Sequence, residues 1–177
     1  MDSKFVFKIL LLGDKSVGKT TLTYKYVTGS FKRNIKQTIG VDIFSKFLTF
    51  HGKEIKFQLW DFGGHKRFRQ ILPKYTVGAN AVLLLYDITN FSSFEHLSSW
   101  LQFIAENTKD IPILLIGAKK DLVEMREVPF EKGEEFSKDA DLEKFFEISS
   151  LTGKNVEKVF EELMKILMIK KKLNIET

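Results

Sequence analysis

The 177-residue chain contains no cysteine and only three prolines. The lack of cysteine excludes disulfides, thiolate metal sites, cysteine nucleophiles, prenylation and palmitoylation. Residue 2 is Asp2 rather than glycine, which excludes N-myristoylation. No apolar run reaches the length of a membrane span, and the N-terminus lacks the apolar core of a signal peptide. We therefore expect a cytoplasmic protein with no lipid anchor and at most weak peripheral contact with membranes.

Charge and composition are those of an ordinary globular protein. A content of 44% hydrophobic and 29% charged residues suits one packed domain, which we expect to span residues 1–177 as a monomer. The net charge of +5 is compatible with a nucleic-acid partner. The lysines are scattered rather than grouped with stacking aromatics, however, so we expect a solvated surface and no nucleic acid.

Strand-like and helix-like segments alternate along the chain. Apolar runs predict strands at 5–12, 55–60, 80–87, 111–117 and 143–148, and an alternating segment predicts a further strand at 40–50. Helices are predicted at 19–28, 66–77, 91–107, 129–139 and 153–171. This alternation predicts an α/β fold with a doubly wound, mainly parallel six-stranded sheet, one antiparallel edge strand and helices on both faces. Such sheets bind ligands at the carboxyl ends of their strands.

The first motif, Gly13-Asp14-Lys15-Ser16-Val17-Gly18-Lys19-Thr20, has the form G-x-x-x-x-G-K-[ST]. It lies between a predicted strand and a predicted helix, which is the context of the phosphate-binding loop of P-loop NTPases. Backbone N–H groups of such a loop point at phosphates, and the helix dipole favours negative charge. The candidate nucleotide-binding residues here are Asp14, Lys15, Ser16, Val17, Gly18, Lys19, Thr20 and Thr21. Lys19 is expected to reach the β- and γ-phosphates, and the Thr20 hydroxyl to bind Mg²⁺.

The second motif, Asp61-Phe62-Gly63-Gly64, directly follows the predicted strand at 55–60. An aspartate that ends an apolar strand of a P-loop protein is expected to hold Mg²⁺ through water. Gly64 has no Cβ, so its N–H could approach a γ-phosphate closely. Thr38 supplies a second hydroxyl that could reach the metal, which makes Thr20, Thr38 and Asp61 the candidate metal ligands.

The third motif, Ala118-Lys119-Lys120-Asp121, follows the predicted strand at 111–117. The Asp121 carboxylate could accept two hydrogen bonds from the N1–H and N2–H₂ groups of guanine, a donor pair that adenine lacks. The apolar stem of Lys119 could cover the base. The backbone of Ser149-Ser150-Leu151 could contact the base oxygen, and Phe31 either packs edge-on to the base or belongs to the core.

Taken in order, these motifs resemble the Ras superfamily of small GTPases over about residues 5–170. Within that superfamily the chain is most similar to Rab-like members, in Ile39-Gly40-Val41-Asp42, Gln58-Leu59-Trp60-Asp61, Arg67-Phe68-Arg69 and Tyr86-Asp87-Ile88-Thr89. Gly63-Gly64 is more similar to Arf proteins, and the C-terminal residues 173–177 contain no prenylation cysteine. The chain therefore resembles a divergent Rab-like GTPase.

The resemblance implies a molecular switch that binds Mg²⁺ with GTP or GDP and hydrolyses GTP slowly, in Rab-like trafficking or signalling. It implies that Lys19, Thr38, Gly64 and His65 are the catalytic residues. Two loops, about 31–40 and 61–74, would be ordered by the γ-phosphate and Mg²⁺. Effectors, exchange factors and GTPase-activating proteins would then bind to those loops.

Four residues depart from the family pattern. His65 replaces the glutamine that orients the attacking water, and it either leaves hydrolysis slow or orients the water itself. Lys15 replaces a small residue, where it could obstruct an arginine of an activating partner or supply positive charge itself. Ala118 replaces an asparagine, which affects the expected nucleotide affinity, and Ile35 replaces a tyrosine that could close over the γ-phosphate.

These departures keep a second function open, an interaction module that stays bound to GTP with little or no hydrolysis. The retained Lys19, Thr20, Thr38, Asp61 and Asp121 oppose it. A third alternative, a P-loop phosphotransferase, needs an arginine-rich lid, and the sequence after Asp61 contains no such insertion. We expect the hydrolysing switch.

Overall fold

A mixed sheet forms the centre of residues 5–171, the part of the chain that the computed structural model describes. Its strands are β1 (Phe5–Leu12), β2 (Val41–Phe50), β3 (Lys53–Phe62), β4 (Ala81–Asp87), β5 (Ile113–Ala118) and β6 (Lys144–Glu147). In space they follow the order β2-β3-β1-β4-β5-β6. β2 pairs antiparallel with β3, and the other neighbours run parallel. The predicted sheet, with its antiparallel edge strand, is confirmed.

Helices cover both faces of this sheet, as predicted. They are α1 (Lys19–Thr28), α2 (Pro73–Thr76), α3 (Phe91–Glu95), α4 (Leu97–Asn107), α5 (Phe130–Asp139) and α6 (Val156–Lys170). Short 3₁₀ segments lie at Lys66–Phe68 and Lys120–Met125. Within residues 5–171, no helix is both long enough and apolar enough to cross a bilayer. Asp2 and residues 173–177, on which the expectations about lipid anchors rest, lie outside the described residues.

Two layers of side chains fill the space between the sheet and the helices. Because successive residues of a strand point to opposite faces, β1 contributes to both layers. Ile9 and Leu11 pack in one layer with residues of α1 and α6, whereas Leu10 and Leu12 pack in the other with Trp100 of α4. The sheet is therefore held rigidly from both sides, which fixes the carboxyl ends of the parallel strands relative to one another.

The predicted helix at 66–77 is wrong. The segment contains a 3₁₀ turn, further turns and the short helix α2 instead. Pro73 has no N–H to bond to an earlier carbonyl, and its ring would clash within a continuous helix, so a helix begins there rather than running through it. The predicted helix at 91–107 exists but is interrupted at His96, where α3 ends and α4 begins.

Candidate functional site

The loop between β1 and α1 is tightly packed and depends on its glycines. Gly13 has φ of 142°, and a Cβ built there would lie 2.3 Å from the carbonyl oxygen of Leu85. Gly18 has φ of 111° and precedes the first residue of α1. Side chains other than hydrogen are strained or excluded at these positions. The loop therefore holds a conformation that the glycines of the motif allow and that places the N-terminus of α1 at the edge of the sheet.

Lys19 is buried at the start of α1, with only 5% of its surface exposed. Its Nζ donates hydrogen bonds to the carbonyl oxygens of Gly13, at 2.9 Å, and Asp14, at 2.6 Å. Burial lowers the pKa of Lys19 to about 8, while the negative charges of Asp61 and Asp14 oppose that shift. The loop thus holds an ammonium group against its own backbone, at the site where a phosphate chain would bind.

Two hydroxyls and one carboxylate meet beside Lys19. Thr20 Oγ1 lies 2.7 Å from Thr38 Oγ1 and donates a hydrogen bond to Asp61 Oδ2, which also accepts one from Thr38 Oγ1 at 3.1 Å. Burial raises the pKa of Asp61, and the Thr20 hydrogen bond and the charge of Lys19 oppose the rise. The other carboxylate oxygen, Oδ1, is buried and has no hydrogen-bond partner among the described residues.

This oxygen cluster fits Mg²⁺. The ion prefers hard oxygen ligands and binds through one or two carboxylates together with substrate phosphates and water. Within residues 5–171, no three His, Cys, Asp or Glu side chains come together as a complete metal site. A magnesium site here would therefore combine Asp61 and the two hydroxyls with oxygens supplied by a ligand.

Gly63 and Gly64 lie where three backbone segments approach one another. A Cβ on Gly64 would come within 2.3 Å of the backbone of Asp14 and Lys15, and one on Gly63 within 2.5 Å of the carbonyl oxygen of Thr38. The N–H of Gly63 donates to the carbonyl oxygen of Gly40 at 2.9 Å. The two glycines therefore permit the loop after β3 to touch both the first loop and the segment that carries Thr38.

The loop after β5 is braced by side chains of neighbouring segments. Ser149 Oγ donates to Asp121 Oδ1 at 2.6 Å, and Lys119 Nζ lies 2.6 Å from Asp87 Oδ2. Asp87 ends β4 and is only 5% exposed. Ala118 is buried, and a Cβ on Gly18 would lie 3.6 Å from its Cβ. At this position the two loops meet through a methyl group rather than through a polar side chain.

A cleft of about 370 Å³ lies between these loops. The predicted site residues that line it are Lys15, Ser16, Gly18, Lys19, Thr20, Thr21, Phe31, Thr38, Gly64, Lys119, Asp121, Ser150 and Leu151. Cations predominate among its charged lining residues, and Asp121 is the only carboxylate among them. Such a lining attracts a polyanion.

Five predicted residues do not line the cleft. Val17 packs in the core, Ser149 is buried against Asp121, and Asp61 lies behind the two threonine hydroxyls. The Asp14 side chain bonds to residues of the α3–α4 segment. His65 is exposed, with its ring 6.3 Å from that of Phe68.

Several lining residues were not predicted from the sequence, namely Lys32, Arg33, Lys36, Gln37, Phe62 and Leu122. The first four belong to a segment without regular secondary structure between α1 and β2. Lys32, Arg33 and Lys36 are exposed and follow Phe31 closely in the sequence. The sequence could have indicated these basic lining residues, because residues 31–40 contain three cations and no carboxylate and lie next to a predicted phosphate site.

Known proteins resemble the chain over almost its whole length. The Ras family model matches residues 8–169. The chain is 36% identical over 167 residues to Ras-related protein Rab-4 of Dictyostelium discoideum, covering 94% of this chain and 81% of the relative. It is 39% identical over 166 residues to Ras-related protein Rab-10 of Diplobatis ommata, covering 93% and 82%. For Ras-related protein Rab-8B of Bos taurus the identity is 38% over 167 residues, covering 94% and 80%. The chain belongs to the Ras family and is a Rab-like small GTPase.

Proposed function

We propose that this chain is a single G domain that binds Mg²⁺ with GTP or GDP in the cleft and acts as a slowly hydrolysing switch in Rab-like trafficking. The meeting of Thr20, Thr38 and Asp61 beside Lys19 is the observation that carries the proposal. The guanosine half of the nucleotide would be bound by a second set of cleft residues, namely Phe31, Lys119, Asp121, Ser150 and Leu151. We also propose that the protein is a monomer and is located in the cytoplasm.

The residues of the cleft divide the work of GTP hydrolysis. Lys19 would hold β- and γ-phosphate oxygens, while the backbone N–H of Gly64 would donate to the γ-phosphate, so that charge developing on it is stabilised. Thr20, Thr38 and Asp61 would hold Mg²⁺, which when bound neutralises charge on the β- and γ-phosphate oxygens. The remaining loop residues, including Asp14 and Val17, would contribute backbone N–H groups to the phosphates.

The position of His65 supports the proposal that hydrolysis is slow. Its side chain is exposed and lies outside the lining of the cleft, so it orients no water there without a movement of the loop. This observation also favours the second candidate function, a GTP-bound interaction module. Single-turnover hydrolysis of bound GTP separates the two functions, and an absence of phosphate release over many hours, alone and with cell extract, would support the module.

The two loops at 31–40 and 61–74 are the proposed contact surface for effectors, exchange factors and GTPase-activating proteins. Ile39 is 77% exposed, and its loop carries Thr38 toward the metal cluster, so a change at the phosphates would reach an exposed apolar side chain. The second loop begins at Asp61 in the same cluster. Binding partners at these loops would therefore distinguish the two nucleotide states.

Substitution of Thr20 tests the magnesium assignment. Thr20→Asn should weaken Mg²⁺-dependent GTP binding more than GDP binding, because the lost hydroxyl would hold the metal that the γ-phosphate shares. Removal of Mg²⁺ with EDTA should speed nucleotide release from the wild type and change little in the variant.

Thr28→Ala is the matched control, since Thr28 lies outside the lining of the cleft. Its hydroxyl donates to the carbonyl oxygen of Tyr24 at 2.8 Å and accepts from the N–H of Ser30 at 3.2 Å. Equal losses for GTP and GDP in Thr20→Asn would contradict a hydroxyl–metal contact.

A further inference from the structure

The Asp14 carboxylate is clamped by groups from outside the nucleotide cleft. His96 Nδ1 lies 2.5 Å from Asp14 Oδ2, and Trp100 Nε1 donates to Asp14 Oδ1 at 2.9 Å. His96 lies at the junction of α3 and α4, and Trp100 is buried in α4. The first loop is therefore tied through one side chain to the helices on one face of the sheet.

Arg69, from the loop at 61–74, joins the same cluster. Its Nη2 lies 3.8 Å from Asp14 Oδ1, and its guanidinium carbon is 4.2 Å from the centre of the Trp100 ring. Its Nη1 donates to Ser99 Oγ at 2.7 Å, whereas its buried Nε has no acceptor among the described residues. Arg69 is thus held by its terminal nitrogens and an aromatic face, contacts that the loop can form or release as it changes shape.

The backbone of Asp14 faces the other way, into the phosphate site. Its carbonyl oxygen accepts the 2.6 Å hydrogen bond from Lys19, and the peptide that links it to Lys15 is the group that a Cβ on Gly64 would strike. A rotation of this peptide would move the acceptor of Lys19 and the surface against which Gly64 packs. The carboxylate clamp and the phosphate contacts therefore act on one residue.

We propose that Asp14 is a positioning residue that couples Arg69 of the loop at 61–74 to Lys19, and that this link increases the preference of the cleft for GTP over GDP. The inference rests on the proposed function. When the 61–74 loop is ordered, Arg69 would contact Trp100 and Asp14. These contacts would fix the Asp14 side chain, and with it the peptide that accepts the Lys19 hydrogen bond and packs against Gly64. Since coupling between two sites is reciprocal, γ-phosphate binding would in turn stabilise the contacts of Arg69 with Trp100 and Asp14.

The alternative is that Asp14 only stabilises the fold, as a half-buried carboxylate paired with its donors. A purely structural role would weaken both nucleotides together, because neither the fold nor the base site distinguishes them. Coupling predicts a selective loss, since only GTP has the γ-phosphate that orders the second loop. The ratio of the dissociation rates of GTP and GDP is therefore the quantity to measure.

The test compares the dissociation rates of fluorescent GDP and a fluorescent, non-hydrolysable GTP analogue. Wild type, Asp14→Asn, Arg69→Gln and the double variant form a cycle, and Gln102→Ala is the control. Gln102 lies on α4 and bonds to Glu106 at 2.9 Å, outside the cluster. We expect Asp14→Asn to speed release of the GTP analogue about tenfold, within the usual range of coupling between sites, and release of GDP less than about twofold. The double variant should show less than the product of the single effects.

Equal acceleration for both nucleotides would overturn the inference and leave a structural role for Asp14. Independent effects of the two substitutions would overturn the link to Arg69. If Asp14→Asn does not fold, Arg69→Gln decides alone, because an unchanged GTP-to-GDP ratio in that variant contradicts the coupling. A folded wild type that binds neither nucleotide would contradict the proposed function itself, and the inference with it.

Discussion

We propose that guanine selectivity depends on Asp121. Ser149 occupies one of its oxygens, Oδ1, and orients the carboxylate beside the cleft, which leaves acceptor capacity for a base. A carboxylate placed to accept from N1–H and N2–H₂ disfavours a base that offers no such donor pair, because the hydrogen bonds that guanine makes are then lost. Selectivity would thus rest on the hydrogen bonds between Asp121 and the base rather than on the charge of the cleft.

Replacement of Asp121 by Asn should exchange the preferred base. Xanthine carries a carbonyl oxygen where guanine has its N2 amino group, so the amide nitrogen of Asp121→Asn can donate to it. We expect GTP affinity to fall at least about a hundredfold and affinity for xanthosine triphosphate to rise, as measured by competition. Ser149→Ala, which keeps the carboxylate, should cost about tenfold or less for GTP and gain nothing for xanthosine nucleotides. Unchanged GTP affinity in Asp121→Asn would contradict the base assignment.

Tyr86 carries a buried hydroxyl without a hydrogen-bond partner among the described residues. Burial raises the pKa of the Tyr86 phenol, and the negative charge of Glu147 adds to the rise. The folded state therefore holds the neutral phenol, while the unfolded chain ionises above about pH 10. Tyr86 therefore causes no pH dependence of stability below about pH 10. The free energy of unfolding falls as the pH rises from about 10 toward the higher pKa of Tyr86 in the folded state.

Tyr86→Phe should therefore be at least as stable as the wild type at pH 7, by up to about 1 kcal/mol in the free energy of unfolding, because it removes an unsatisfied buried group. The advantage should grow above pH 10. Denaturant unfolding at pH 7 and 10.5 measures both effects, with Tyr24→Phe as the control for a tyrosine outside the core. A variant less stable than the wild type by more than about 1 kcal/mol would indicate a partner for the hydroxyl, such as bound water.

At the residue scale the sequence predicted most of the cleft, because its chemistry depends on motifs of fixed spacing. Lys19, Thr20, Thr38 and Asp61 lie 42 positions apart at most, and local pattern alone assigns Lys19 and Thr20 to the start of a helix and Asp61 to the end of a strand. The clamp on Asp14 was not predictable in this way. It joins residues that are 82 and 86 positions apart, through side chains that no motif links.

The elements around the cleft show where local reasoning ends. Apolar runs identified the central strands because a parallel strand that is covered by helices on both faces needs apolar residues at nearly every position. The segment at 66–77 has polar and apolar residues at spacings that a helix would also use, yet it forms a 3₁₀ segment, further turns and a short helix that begins at Pro73. Such loops take their shape from tertiary contacts, here of Arg69 with α4 and of Gly64 with the first loop.

The contact of the β3 loop with the first loop makes Gly64 sensitive to a single methyl group. Gly64→Ala would place a Cβ 2.3 Å from backbone atoms of Asp14, so the β3 loop must move away from the phosphate site. We expect GDP binding to remain within about threefold of the wild type, and GTP hydrolysis to fall about a hundredfold, the usual effect of removing one donor to developing charge. Single-turnover assays with bound GTP measure this loss.

Gly78→Ala is the control for that substitution. Gly78 has φ of 75° with no atom near the added Cβ, so alanine there costs conformational energy without blocking any contact. It should lower stability and leave the hydrolysis rate of folded protein unchanged. Normal hydrolysis in Gly64→Ala would contradict the proposed role of its N–H.

For the whole molecule, the sheet joins residues from distant parts of the chain into one binding cleft. The loops after β1, β3 and β5, together with Ser150 and Leu151 after β6, lie at one edge because these strands are parallel. The fold class could be predicted because alternation of strands and helices permits few arrangements. The three cations Lys32, Arg33 and Lys36 were visible in the sequence, but their position at the cleft was not, since they lie on a segment with no regular structure.

Because a ligand in this cleft contacts several loops at once, nucleotide binding should stabilise the entire domain. A ligand that binds only the folded state adds about 2.7 kcal/mol at a hundred times its dissociation constant. We expect GDP with Mg²⁺ to raise Tm by several degrees in protein first stripped of nucleotide with EDTA. ATP at the same concentration should leave Tm unchanged, because adenine lacks the donor pair for Asp121. In Asp121→Asn the rise in Tm caused by GDP should be smaller, and xanthosine diphosphate should raise Tm instead. Equal stabilisation of the wild type by ATP and GDP would contradict the role of the base and show that the phosphates alone hold the loops together.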